Sequence, residues 1–400
     1  MEVGHTAVLL LELGAVVFGL GLLGSLAGRI GLSPIPLYLL AGLAFGTGGL
    51  LPLDAPEGFF SAGAEVGVVL LLLVLGLEYT AGDLVENLRR QAPVGVADLL
   101  LNGLPGAALA LFLGWGPTAA LALFGVTAIS SSGIISKLLT DLGRLGNRET
   151  PAVLGVLVIE DLAMAAYLPV LTGVVAASST GDAVLSVTVA LATLAVVLAV
   201  AVRHGSTVTR FVGTRSNEIL LLRVLGLALL VAGAAEAVHV SAAVGAFLLG
   251  IALSGEVAER IGDVLSPLRD LFAAVFFVFF GLSTDPTQLP AALLPAAALA
   301  AVGIVTKFGT GWIAGRRAGV GPPARVRAGA ALVARGEFSI IIAGLVLGSV
   351  PAAFGSTVAA YVLILAVLGP LAPRLVDPWV RRLARRAGPP RPSGRAPTTA

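Results

Sequence analysis

Two acids, Glu160 and Asp161, stand side by side in the apolar run VLVIEDLAM, residues 156 to 164. No other charge occurs between about Pro151 and Val174. A carboxyl group surrounded by hydrocarbon holds a proton more tightly, and a second carboxylate beside it adds to the effect. Such a pair offers oxygens to protons or to a hard cation. The matching base is Lys307, in VGIVTKFGTGW. Lysine occurs only twice, as Lys137 and Lys307, among 25 basic residues. Arginine stays charged at any accessible pH, whereas a desolvated lysine can release its proton. Placed beside the acids, Lys307 would neutralise one carboxylate while no metal is bound. An arriving monovalent cation would take the same oxygens, helped by Ser hydroxyls and backbone carbonyls, and would displace the lysine and expel protons. Competition for one site gives obligate exchange, provided that the site opens to one side at a time. Adjacent positions lie about 100° apart on a helix, so both acids cannot face one partner equally.

The elements that carry these residues must cross a membrane. The chain has 400 residues, 57% hydrophobic and only 12% charged, where soluble domains carry about 25% charged residues. With no Cys, disulfide frameworks, thiolate metal sites and Cys nucleophiles are excluded. Thirteen apolar segments of spanning length or near it lie at about 6–28, 33–50, 60–80, 92–113, 117–140, 151–174, 183–202, 217–238, 240–254, 264–283, 290–313, 325–349 and 355–376. The ninth is short and is expected to be tilted or partly re-entrant. The first lacks a basic leading region and is followed by Arg29, so it is not read as a cleaved signal.

The connections after odd-numbered segments hold Arg29, Arg89, Arg90, Arg144, Arg148, Arg203, Arg210, Arg215, Arg260, Arg316 and Arg317, and Arg381, Arg382, Arg385 and Arg386 follow the last segment. Those after even-numbered segments hold only Asp54, Glu57, Asp182 and Asp285. Basic residues gather on the cytoplasmic side, so the N-terminus is expected outside and the C-terminus in the cytoplasm of a bacterial-type inner membrane. A membrane exchanger domain is read over 1–378, followed by a basic, disordered cytoplasmic tail over 379–400. In that tail RRLARR serves as an anchor, and AGPPRPSGRAPTTA is Pro-rich.

Two pieces of the chain resemble two others at one offset of 205 residues. GLEYTAGDL from Gly76 matches GLSTDPTQL from Gly281, and SSSGII (130–135) matches RGEFSI (335–340). Seven segments separate the copies, so they point in opposite directions, which is the inverted repeat of many secondary transporters. The second pair also breaks its helices: the fifth segment with Ser130, Ser131, Ser132 and Gly133, the twelfth with Arg335, Gly336 and Glu337. Broken backbone at membrane depth is tolerated only against protein or a watery cavity. Two broken helices crossing near the midplane would offer half-helix ends to an ion. Close packing alone would account for the Ser and Gly but not for an Arg and a Glu at the matching place. Glu12, Glu65, Asp98, Arg223 and Glu236 also lie inside apolar segments. For the four acids a structural ion pair or an interfacial position is expected.

In LLLLVLGLEYT, TAISSSGIISKLL, VLVIEDLAM, FFVFFGLSTDP and ARGEFSIIIAG the chain resembles the monovalent cation:proton antiporter family, in particular its Kef-type potassium and related sodium exchangers, over about residues 6–378. The resemblance implies an all-α fold of about thirteen transmembrane helices, with a moving core around the broken fifth and twelfth helices and a second bundle for homodimerisation. It implies that Asp161 is the main cation and proton carboxylate. Glu160 takes the position where relatives carry Asp, Asn or Gln, and Lys307 is the charge partner. Thr127, Ser130 and Ser131 would lie at the first break, Arg335 and Glu337 at the second. Relatives with two Asp tend to be electrogenic, and those with one neutral partner electroneutral; a Glu–Asp pair leaves the stoichiometry open. Kef-type relatives often carry a nucleotide-binding regulatory domain after the membrane part. Only 22 residues follow Pro378 here, so a regulator is expected to be a separate cytoplasmic subunit.

The reading is a secondary transporter exchanging K+ or Na+ for protons, with no cofactor and no nucleic-acid partner. The runner-up is a sodium-coupled symporter of an organic anion, which should offer a larger polar pocket. An intramembrane enzyme is disfavoured. HExxH and paired-Asp motifs are absent, and the three histidines, His5, His204 and His239, make no Ser–His pair in a helix. A gated channel would not require a titratable lysine beside two acids.

Overall fold

The computed structural model describes residues 2–29, 33–46, 57–77, 81–177, 207–237, 242–253 and 256–386, with scattered positions between 181 and 203. Its described elements are helical: α1 (Glu2–Arg29), α2 (Ile35–Phe45), α3 (Glu57–Leu77), α4 (Ala81–Phe112), α5 (Pro117–Ala128), α6 (Ser132–Asp141), α7 (Thr150–Val175), α8 (Asn217–Ala237), α9 (Ala242–Ala252), α10 (Glu256–Leu282), α11 (Leu289–Arg317), α12 (Pro322–Ala331), α13 (Glu337–Leu345) and α14 (Ala352–Arg386), with one short 3-10 turn at Pro286–Gln288. Lipid offers no hydrogen bonds, so apolar segments close their backbone bonds within themselves. Helices stand at every expected segment except the seventh, 183–202, most of which lies outside the described residues. Among the described residues, 7 helices are long and apolar enough to cross a membrane. The ninth segment is short, as expected: α9 has 11 residues. So has α2, whose expected span of 33–50 ends in residues outside the description.

The fifth and twelfth segments are each broken. Residues 129–131 separate α5 from α6, and residues 332–336 separate α12 from α13. Prolines begin the outer pieces, at Pro117 for α5 and Pro322 for α12, where a missing N–H costs nothing.

The helices pack as two groups. One joins α2, α3, α8, α9 and α10, with its centre at Leu70, Leu73, Leu249 and Ile261. The other gathers α4, α5, α7, α11, α13 and α14 around Leu123, Val126, Ile340 and Tyr361. Within the first group, two crossings bring backbone against backbone. A Cβ on Gly76 would lie 2.3 Å from Phe247 O and 2.9 Å from Gly250 Cα, where α3 meets α9. A Cβ on Gly42 would lie 2.2 Å from Val278 O and 2.7 Å from Gly281 Cα, where α2 meets α10. Gly76 and Gly281, which head the two similar sequence pieces, thus each occupy a closest helix approach.

One boundary moves. α14 runs past 378 through RRLARR to Arg386, with Val380 buried, so this stretch continues a helix and does not start a disordered tail. Arg, Leu and Ala are good helix formers, and nothing in RRLARR stops the helix. Residues 387–400 lie outside the description.

Gly42→Val and Gly250→Val are expected to abolish or sharply lower the yield of monodisperse protein, because the clashing atoms are backbone. Gly226→Ala on α8, whose Cβ would meet nothing within 4 Å, is expected to leave the melting temperature within about 2 °C of wild type. Fluorescence-detected size exclusion and thermal unfolding in detergent check both.

Candidate cation and proton site

At the two breaks the chain segments hold each other. The Ser131 amide donates to Ala334 O at 3.0 Å. A Cβ on Gly336 would fall 2.6 Å from Ser131 Oγ, so only glycine fits there. Breaking a helix strips partners from its end carbonyls and amides. Arg335, fully buried, answers the carbonyls. Its Nη2 donates to Thr127 O at 2.9 Å, at the end of α5. Its Nη1 donates to Leu332 O at 3.2 Å and Val333 O at 3.3 Å, at the end of α12, and its Nε donates to the buried Tyr361 hydroxyl at 3.2 Å. A cation thus sits on two negative helix ends. Glu337 takes the opposite place. It opens α13, and its Oε2 accepts from Ser131 Oγ at 2.7 Å. Its Oε1 lies 3.3 Å from where a Cβ on Gly133 would stand, over the start of α6. An anion thus sits at two positive helix ends.

The second half of the site hangs from α7. Glu160 and Asp161 are 0% and 1% exposed. Glu160 accepts from the Ser130 amide and from Ser130 Oγ (3.1 Å), and its Oε1 lies 2.7 Å from Lys307 Nζ. Lys307, fully buried on α11, also donates at 2.7 Å to Asp98 Oδ1 on α4 and at 3.3 Å to Ala128 O. Asp161 faces a different way. It lines a cavity of about 10 Å³ with Leu72, Leu75, Met164, Leu168, Phe247 and Phe338. That is about the room of one water molecule. The cavity lies on the seam between the two helix groups, touched by α3 and α9 on one side and by α7 and α13 on the other.

The expected residues are therefore brought together, in three sub-sites. Ser130 belongs with Glu160 and Lys307, Ser131 with Glu337, and Asp161 with the seam cavity. Thr127 lies at the first break, at the end of α5. Its hydroxyl donates back to Leu123 O at 2.9 Å, and its carbonyl accepts from Arg335. Asp98 is the residue that sequence reasoning passed over as the partner of Lys307. The signal available was an acid in a long apolar run, shared with several acids that lie elsewhere. Of those, Glu65 and Glu236 are exposed and line a cavity of about 430 Å³ on the same seam. Arg223 is exposed and reaches Phe211 O at 3.4 Å. The side chain of Glu12 lies outside the description.

A spanning bundle with two helices broken against each other beside buried acids has the build of an ion-coupled secondary transporter. The chain belongs to the sodium/hydrogen exchanger family, whose transmembrane family model matches residues 14–377. It is 35% identical over 376 residues to the K(+)/H(+) antiporter subunit KhtU of Bacillus subtilis, covering 91% of this chain and 92% of that one. It is 31% identical to the ammonium/H(+) antiporter subunit AmhT of Alkalihalophilus pseudofirmus, covering 94% and 96%. To the high-affinity Na(+)/H(+) antiporter NhaS3 of Synechocystis it is 28% identical, covering 93% and 89%. Among solved structures, the sodium proton antiporter MjNhaP1 of Methanocaldococcus jannaschii at pH 8 shares the fold, with a TM-score of 0.65 at 17% identity, covering 96% of this chain and 99% of that one. The protein is a multi-pass membrane transporter and not an enzyme, and the symporter reading finds no support among these relatives.

The helix that carries the acids is tied at its start. Glu149, which precedes α7, pairs with Arg327 of α12 through Nε–Oε1 and through Nη2–Oε2 at 3.1 Å. Burial works most strongly to raise the Glu149 carboxyl, but the hydrogen bond and charge of Arg327, a backbone hydrogen bond and Asn147 together outweigh it and hold the group below the usual carboxylate range. An acid with a lowered folded value stabilises above its unfolded value, and the stabilisation is lost as pH falls through the folded one. Glu149→Gln is expected to cost about 1 kcal/mol at neutral pH. Its melting temperature should converge on that of wild type below about pH 4, measured by thermal unfolding across pH.

Proposed function

We propose that the protein exchanges K+ or Na+ for protons across the membrane by alternating access, and that both compete for the carboxylates of Asp161 and Glu160. One observation carries the site assignment. Asp161 opens onto a cavity between the two helix groups, while its neighbour Glu160 is held inside by Ser130 and Lys307. Asp161 is then the carboxylate that meets the cation, and Glu160 the one whose oxygens Lys307 occupies when no cation is bound. Ser130 and the carbonyls at the first break complete a set of hard oxygen ligands.

Further features support the architecture behind this reading. Matching crossings support the proposed repeat: that of α3 with α9 at Gly76 and Gly250 has its counterpart in that of α10 with α2 at Gly281 and Gly42. Movement of the α7–α13 group along the seam against the α3–α10 group opens Asp161 to one side and then the other. The large cavity lined by Glu65 and Glu236 also lies between α3, α8 and α10 on one side and α13 on the other. The arginine-rich connections face the cytoplasm and the N-terminus lies outside. The α3–α10 group pairs two copies into a homodimer, and the relatives KhtU and AmhT, both antiporter subunits, support a partner subunit for this chain.

Vesicles holding the protein and a pH-sensitive dye are expected to show proton movement when K+ or Na+ is added, and a flat trace with every alkali cation would overturn the reading. Asp161→Asn is expected to remove exchange to background while the protein stays monodisperse; full transport by that variant would take Asp161 out of the mechanism. Glu160→Gln tests charge balance. If Glu160 carries a coupled proton, the variant loses part of its dependence on membrane potential, since each net charge moved is worth about 2.3 kcal/mol per 100 mV.

A further inference from the structure

Resting on the exchange reading above, we infer that Asp98 is a positioning residue that receives Lys307 when a cation displaces it from Glu160, and so sets the affinity for the cation.

The cluster around Asp98 is built, buried and asymmetric. Asp98 is 0% exposed. Its Oδ1 collects three donors: Lys307 Nζ at 2.7 Å, Asn102 Nδ2 at 2.8 Å and Thr310 Oγ1 at 2.6 Å. Asn102 is fixed in turn, because its Oδ1 accepts from Thr306 Oγ1 at 2.7 Å. Two turns of α11 and one of α4 thus hold this carboxylate in one orientation. Its other oxygen, Oδ2, makes no hydrogen bond among the described residues although it is buried. A buried carboxylate oxygen without a donor is costly, so a partner in another state of the cycle would offset that cost.

Lys307 is the group within reach. It bridges two carboxylates, and its bonds to Glu160 Oε1 and Asp98 Oδ1 are equally short, 2.7 Å each. Glu160 bonds both its oxygens to Ser130 and stands beside Asp161, where the cation enters. Asp98 stands on the far side of the lysine, on α4. A cation that takes Glu160 removes one of the two anions of Lys307. Without a second anion the ammonium would be left bare in a site that excludes water, which is the expensive way to break a buried ion pair. With Asp98 in place the ammonium pivots and gives a hydrogen to the open Oδ2. The cation then competes with half of the lysine's pairing and not with all of it.

The test separates a positioning role from a merely structural one. Wild-type vesicles are first shown to exchange; a flat wild-type trace is a failure of the exchange reading and not of this inference. In active wild type, Asp98→Asn is expected to raise the apparent KM for K+ or Na+ at least about tenfold, with the maximal rate per folded molecule changed less. Asp98→Glu, which keeps an anion, is expected to recover most of that loss. In a Lys307→Met background, Asp98→Asn is expected to change KM less than about twofold, because its action runs through the lysine. An unchanged KM in active Asp98→Asn, or an equal KM change with and without Lys307, would overturn the proposal. Should Asp98→Asn not fold, the double variant with Lys307→Met removes both charges and is expected to restore monodisperse protein. Failure of that rescue would likewise overturn it.

Discussion

Asp98, Glu160, Lys307, Arg335 and Glu337 are each answered within hydrogen-bond distance, and the need to answer such charges explains where the helices break. A lone charge at mid-membrane costs roughly 2.5–3.5 kcal/mol even on the mildest scales. Arg335 meets this with the carbonyl ends of α5 and α12. Glu337 meets it with the starting turns of α13 and α6. Lys307 meets it with two carboxylates and a carbonyl. Breaking two helices and burying two opposite charges would each be unfavourable alone. Together they neutralise each other, because the freed helix ends are the partial charges the side chains need. Of the acids of α7, Glu160 is tied to the first break through Ser130 and to Lys307, whereas Asp161 lines the small cavity between the helix groups.

Parts of this were legible because they violate their surroundings. Glu160 and Asp161 stand in hydrocarbon, and Lys307 is one of only two lysines in the chain. Ser and Gly runs break the fifth segment, and Arg and Glu break the twelfth. Each is a local contradiction visible in one window. The pairings were not legible in the same way. Whether Lys307 meets Glu160 or Asp161 depends on which face of α7 turns toward α11, and Asp98 differs in no local respect from Glu65 or Glu236, which line an open cavity. Nor does the sequence show that the Thr127 hydroxyl donates within its own helix while its carbonyl meets Arg335. Such choices are made by tertiary packing.

The seam between the helix groups gives the two acids of α7 unlike surroundings. Asp161 meets apolar side chains from both groups across a small cavity, whereas Glu160 is bound wholly within one of them. Sliding one group past the other therefore changes the environment of Asp161 first. The glycine crossings of α3 with α9 and α2 with α10 hold the opposing group stiff, since backbones in direct contact leave no side chains to repack.

The crossing at the breaks also bears on how the chain comes to be assembled. Ser131 bonds to Ala334 through its backbone and to Glu337 through its hydroxyl, a separation of 206 residues in the second case. During synthesis the first broken helix must therefore wait in the bilayer for more than half of the chain's length, with its end carbonyls unanswered, until Arg335 emerges. Its early neighbours, α4 and α7, are made close to it in sequence, whereas the partners of Ser131 are made only with the twelfth segment, so the crossing is completed late in synthesis.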